Sequence, residues 1–160
     1  MKSWKIIPAK PAHIPAIAAD MREADRREVW ASHRHTPVQA LKSSLACSEL
    51  AWTCLVEDTP ALMFGVARRG ILLSDTGVPW LLGADLFFKT HSELNRVFLR
   101  QSQRYVALML DRFPRLENYV HAGNKASIRW LKWCGFRLID DPVTINGEEF
   151  YRFWRDARHV

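Results

Sequence analysis

A chain of 160 residues with 48% hydrophobic content is long enough to bury one core and too short for two comfortable ones, which excludes a disordered chain and a multidomain one. The formal charge of +6 favours acidic partners, such as nucleic acid, polyphosphate cofactors or acidic protein surfaces, without choosing among them. Three cysteines without C-x-x-C spacing suggest neither a disulfide framework nor a zinc site, and charge interrupts every long apolar stretch, so a soluble protein of a reducing, cytoplasmic compartment is expected.

In chain order, Trp4 to Pro8 reads as a first strand, and His13 to His33 carries helical periodicity through Ile14, Ile17, Met21 and Val29, with a charged cluster from Arg22 to Glu28. Pro37 suits the first turn of a second helix, which runs to about Cys47 and buries Leu41 and Leu45. Trp52 to Glu57 alternates like a strand, Asp58-Thr59-Pro60 is turn chemistry, and Ala61 to Arg68 pairs back antiparallel. Asp75-Thr76-Gly77 makes a turn before a fourth strand at Val78 to Leu82.

Thr90-x-x-Glu93 has the form of a capping box and opens a long helix from about His91 to Phe113, with Leu94, Phe98, Tyr105 and Leu108 facing inward and Pro114 stopping it. Arg96, Arg100 and Arg104 recur every four residues as one basic stripe, read as a solvated face ahead of a nucleic-acid contact. Tyr119 and Val120 fit a strand, Gly123 breaks it, and the Asn124 side chain caps a helix over Ala126 to Cys134 that buries Ile128, Leu131 and Cys134. Gly135 suits the left-handed position past the helix end, and Phe136 folds back onto the last turn. Arg137 to Ile145 and Glu148 to Trp154 then read as strands around an Asn146-Gly147 hairpin turn.

The pattern from Tyr119 through Asn124-x-x-Ser127-Ile128-x-x-Leu131 to Gly135-Phe136 resembles the C-terminal half of the GNAT acyltransferase core. Pro79-Trp80-Leu81-Leu82-Gly83 and the helix after it resemble that family's fourth strand and third helix. More narrowly, the run from Trp80 to Lys132 resembles GNAT-like proteins encoded in the head-gene region of tailed phages, including internal virion proteins of podophages. The resemblance implies an α+β fold in one domain over residues 1–160, with a mixed, mostly antiparallel sheet of about six or seven strands, about four flanking helices, and a splay between the fourth and fifth strands.

It also implies a cofactor, acetyl-CoA or CoA, in that splay. Leu81, Leu82 and Gly83 would line its pantetheine arm, with Asn124 and Ser127 beside it, and the turn into the long helix would receive the pyrophosphate. Two departures stand out. The family's [QR]-x-x-G-x-[GA] phosphate turn is replaced by the bulkier Ala84 to Ser92, where Lys89, His91 and Ser92 are the remaining candidates. The tyrosine that many members carry seven residues after the asparagine, as general acid, is Leu131, leaving Tyr105 or Tyr119.

For a general base toward an amine, Asp85, His121 and Glu28 are the candidates. His33 and His35, with no third ligand nearby, do not make a metal site, and Cys134 on an apolar helix face reads as an inert thiol. Two functions follow from the resemblance. One is an acyl-CoA-dependent N-acetyltransferase of phage or prophage origin. The other is a catalytically degenerate GNAT-fold protein that assembles with phage structural proteins, in the virion or on the way to it.

Overall fold

The computed structural model describes residues 2–70, 74–89 and 92–157, with the backbone alone at 92–94. The Thr90–Glu93 capping box and the cofactor candidate His91 lie outside the described residues, as does the Ser92 side chain. Among the described residues, eight strands form one sheet: β1 (Trp4–Pro8), β2 (Ser48–Val56), β3 (Thr59–Arg68), β4 (Thr76–Gly83), β5 (Arg115–His121), β6 (Arg137–Leu138), β7 (Val143–Ile145) and β8 (Glu148–Asp156). Their spatial order is β1-β2-β3-β4-β5-β8-β6, with β7 also pairing β8. Six α-helices accompany them: α1 (Ile14–Ala19), α2 (Glu23–His33), α3 (Pro37–Cys47), α4 (Asp85–Lys89), α5 (Ser92–Arg112) and α6 (Lys125–Trp133).

The α+β class and the splay agree with the expectation. All pairs are antiparallel except β4 with β5, which meet in parallel only at Thr76/Arg115 and Gly77/Leu116. Beyond those two rungs the strands diverge, and the sheet opens into two halves. One core lies between the sheet and α5 and α6, around Phe64, Phe98, Val106, Met109, Phe113, Leu131 and Phe153. A second packs α1 and α3 on the other face through Ile14, Ile17, Leu41, Met63 and Leu82.

The local chemistry follows the residues. Thr36 and Gln39 form a reciprocal capping box at the start of α3, with Pro37 in its first turn. Asn124 caps α6 by accepting from Ser127 N–H at 3.4 Å. Gly135 takes φ +81° past the helix end while Phe136 N–H returns to Leu131 O.

The structure corrects several boundaries. The helix expected from His13 to His33 is broken: Asp20–Arg22 leaves the helix because Met21 bridges to Ala84 at the end of β4. The β2–β3 turn is at Glu57-Asp58, with φ of 47° and 64°, so Thr59 and Pro60 already belong to β3. The expected strand from Arg137 to Ile145 is divided into β6 and β7, where Pro142 lacks the N–H a ladder needs. Leu108 is 40% exposed rather than inward, because the buried row of α5 runs through Phe98, Ser102, Val106 and Met109. Arg96, Arg100 and Arg104 are exposed, as a solvated stripe requires.

Candidate functional site

Where β4 and β5 part, their facing backbone groups have lost each other as partners, and side chains take their place. The break between α1 and α2 delivers these side chains. Arg22 N–H donates to Gly83 O at 2.9 Å, and Asp25 Oδ2 accepts the Gly83 N–H at 3.0 Å, so both main-chain groups of Gly83 are engaged by the start of α2. Further along the splay, Asn118 Nδ2 donates to Pro79 O at 2.8 Å. On the β5 side, Glu28 Oε2 accepts from His121 N–H at 3.3 Å.

Apart from the Asn118 bond, these contacts belong to one network. Arg22 and Asp25 form a two-point ion pair, Nε to Oδ2 at 3.0 Å and Nη2 to Oδ1 at 2.8 Å. Arg22 Nη2 also donates to Ser127 Oγ at 2.8 Å and Asn124 Oδ1 at 3.3 Å. Asn124 Nδ2 donates in turn to Glu28 Oε2 at 2.9 Å. The guanidinium carbon lies 4.2 Å from the centre of the Phe88 ring.

Burial raises both carboxylates above their ordinary range. Burial pushes Asp25 upward while Arg22 and the Gly83 N–H oppose it; all three bonds are donated to it, as the ionised form requires. Glu28 is pushed up to about 7, first by burial and then by the Asp25 charge, against the pull of Asn124. Glu28 therefore exchanges a proton near neutral pH.

His121 accepts the Gly123 N–H on Nδ1 at 3.0 Å, which leaves Nε2 to donate to Glu148 Oε1 at 2.7 Å. Glu148 is held below the usual carboxylate range chiefly by that hydrogen bond.

Two cavities adjoin the network. One, of about 400 Å³, lies in the splay and is lined by Glu28, Trp80, Leu81, Tyr105 and Tyr119 among others. The second, of about 430 Å³, lies between α4, α5 and α6 and is walled by Phe87, Phe88, Phe98, Trp130 and Trp133, with Arg22 at its edge. Leu81, Ser127 and Trp130 line both.

Of the residues singled out from sequence, Glu28, Leu81, Leu82, Gly83, His121, Asn124 and Ser127 are thus assembled at the splay. Asp85 and Lys89 are not: they pair with each other at 3.1 Å on the surface of α4. The turn that would receive a pyrophosphate has its own anion, because Asp20 accepts the Asp85 N–H through its main-chain oxygen at 2.8 Å and the Leu86 N–H through Oδ2 at 3.0 Å. Gly83 is also hemmed in, since a Cβ there would meet the Phe88 ring at 2.4 Å. Leu131 is buried in the position of the family's tyrosine. Sequence reading missed Arg22, Asp25 and Glu148; the signal for the first two was Arg22, Asp25 and Glu28 at three-residue spacing on one helix face. Among the described residues no group of side chains has the makings of a metal site.

Known proteins place this geometry. A family model described as "Bacteriophage T7, probable scaffold protein Gp13" matches residues 67–141, just under half of the chain. No curated protein matches in sequence. Among solved structures, the ribosomal-protein-alanine N-acetyltransferase of Brucella melitensis superposes with a TM-score of 0.69 at 14% identity, over 96% of this chain and 99% of its own. The spermidine N-acetyltransferase of Vibrio cholerae, solved with CoA and spermine, gives 0.65 at 11% identity, over 96% and 95%. The ribosomal-protein-S5-alanine acetyltransferase of Vibrio fischeri gives 0.61 at 12% identity, over 98% and 96%. The chain has the fold of the GNAT acetyltransferases, with its own charged side chains bridging the end of the splay between β4 and β5 at Gly83.

Proposed function

We propose that this chain is a phage assembly protein of GNAT fold, working on virion structural proteins, in which the strand end of the acyl-CoA cleft is held by the chain's own residues. The observation that carries the reading is the double engagement of Gly83 by Arg22 and Asp25, at the strand end where the fold would offer its backbone to a pantetheine arm. Asp20 at the start of α4 and Leu131 in place of a tyrosine support it, as does the likeness of residues 67–141 to a phage scaffold family. A phage origin and a place in the host cytoplasm or the virion belong to the same proposal.

A second reading, acyl transfer from acetyl-CoA to an amine, is favoured by Glu28. A carboxylate that titrates near 7 in the wall of the splay suits a base that takes a proton from a substrate ammonium, so that the free amine attacks the thioester carbon. The departing thiolate would take its proton from Tyr105 or Tyr119, which line the same cavity. Room for the cofactor's arm is offered by the groove between α5 and α6, where Asn95 Oδ1 and Trp130 Nε1 are buried without a hydrogen-bond partner among the described residues.

Calorimetric titration with acetyl-CoA and CoA, on the wild type and on Asn124→Ala, separates the two. The assembly reading expects no heat of binding, together with sedimentation of the protein with proheads or virions from infected cells. Micromolar binding weakened by Asn124→Ala, in a protein absent from particles, would overturn it and leave the transferase.

A further inference from the structure

The half-sheet of β5, β8 and β6 has one face packed on α6, through Phe136 and Phe153, and another whose side chains are partly exposed toward the N-terminal end of β5 among the described residues. Strand register puts Arg115 and Glu117 of β5, Arg152 and Trp154 of β8 and Arg137 of β6 on that second face. At the other end of the same strands α2 is held down by Arg27 to Glu148 at 3.2 Å and by Asn146 Nδ2 to Ala31 O at 2.7 Å. The arginines in the open stretch keep substantial exposure, with side chains of Arg69, Arg115 and Arg152 at 45%, 31% and 38%.

The charge here is unbalanced and fixed. One carboxylate, Glu117, serves three guanidiniums: Arg152 Nε at 2.6 Å, Arg115 Nε at 3.2 Å and Arg69 Nη1 at 3.3 Å. Burial pushes Glu117 up, but its arginine contacts prevail and hold it below the usual carboxylate range. Asp156 takes a further bond from Arg115 at 2.9 Å. With Arg137, four arginines face two carboxylates. Each guanidinium has five N–H donors, so most are left for acceptors from outside.

Trp154 adds a second feature, with the Arg115 guanidinium 4.4 Å and that of Arg137 5.5 Å from its ring. From Arg69, just past β3, to Arg137 on β6 the track crosses four strand spacings, or about 19 Å, too long for a single phosphate.

We infer that this sheet face binds single-stranded nucleic acid, its arginines on the phosphates and the arginine–Trp154 stack under a base. Flat guanidinium and indole surfaces favour a stacking ligand over an acidic peptide, which needs charge alone. The inference is independent of the proposed function, since it uses no residue of the splay.

Fluorescence anisotropy of a fluorescein-labelled 20-nucleotide oligothymidylate tests it on the full chain. Arg69→Ser with Arg137→Ser should weaken binding at least tenfold and lower the slope of log affinity against log salt by about 1.4, from two lost phosphate contacts. Arg100→Ser with Arg104→Ser on α5 should leave both unchanged. Arg137→Ser alone, on an exposed side chain, keeps the test open if the double variant misfolds. The inference is overturned by absence of binding at low salt, by an equal loss in the α5 variant, or by polyglutamate displacing the probe as well as unlabelled oligonucleotide does.

Discussion

Replacing Asp25 by Asn tests whether the Arg22–Asp25 pair is what closes the splay. The substitution keeps the side-chain shape and an acceptor for the Gly83 N–H but removes the charge that faces Arg22, whose side chain is 10% exposed against 3% for Asp25. Removing one partner of a buried pair costs about 3–5 kcal/mol, because the remaining charge is left without compensation. Arg22 retains Ser127 Oγ and Asn124 Oδ1, which places the expected loss at the lower end, about 3 kcal/mol. Glu28 then makes the loss depend on pH. The Asp25 charge helps to raise Glu28, so without it Glu28 ionises more readily and supplies part of the missing negative charge. Urea unfolding should therefore show a larger loss at pH 5.5, where Glu28 is protonated, than at pH 8, and melting should fall by roughly 6–12 °C at the lower pH. A loss below about 1 kcal/mol at both pH values would refute the claim that this pair organises the splay.

Other substitutions probe the same region from different sides. Glu28 is raised from its unfolded value of 4.5 to about 7, so its contribution is fully present below pH 4.5 and is lost as pH rises through 7. Because the carboxyl lines an open cavity, we expect about 2 kcal/mol of this dependence, flattened in Glu28→Gln and read by thermal melts across pH 5 to 8. Asn124→Ala removes the cap of α6 and the link between Arg22 and Glu28, and chemical denaturation should show a loss of about 2 kcal/mol. Gly83→Ala drives a methyl group into Phe88 and Leu62, at 2.4 and 2.8 Å, and should cost about 1–3 kcal/mol in the same assay.

Much of the fold was legible because its signals are local. Pro37, Asn124, Gly135 and Asn146-Gly147 each fix a helix end or a turn by their own chemistry, and each is found in that role. The break at Asp20–Arg22 was not legible, since nothing nearby interrupts the helical periodicity; it is imposed by the distant bridge from Met21 to Ala84. The site divides in the same way. Asn124 and Gly83 were visible through the pattern around them, whereas Arg22 and Asp25 were read only as part of a charged cluster. Only the three-dimensional proximity of α2 to the ends of β4 and α6 turns that cluster into a buried network.

The polarity of this network has a structural reason. Two parallel strands that diverge after two rungs leave unpaired N–H and C=O groups along the splay, and burying such groups without partners is costly. A plug of leucines would fill the volume and satisfy none of them. Here Asn118 reaches Pro79 O, Asp25 and Arg22 take the two groups of Gly83, and Glu28 takes the His121 N–H. Asp25, Asn118 and Glu28 reach across the gap with carboxylate or amide side chains, while Arg22 uses its backbone N–H and turns its guanidinium to match the Asp25 charge, with Glu28 taking up a proton near neutral pH. A splay supplied in this way by the chain itself has the backbone groups at its ends satisfied without a ligand, which is what the proposed assembly role requires.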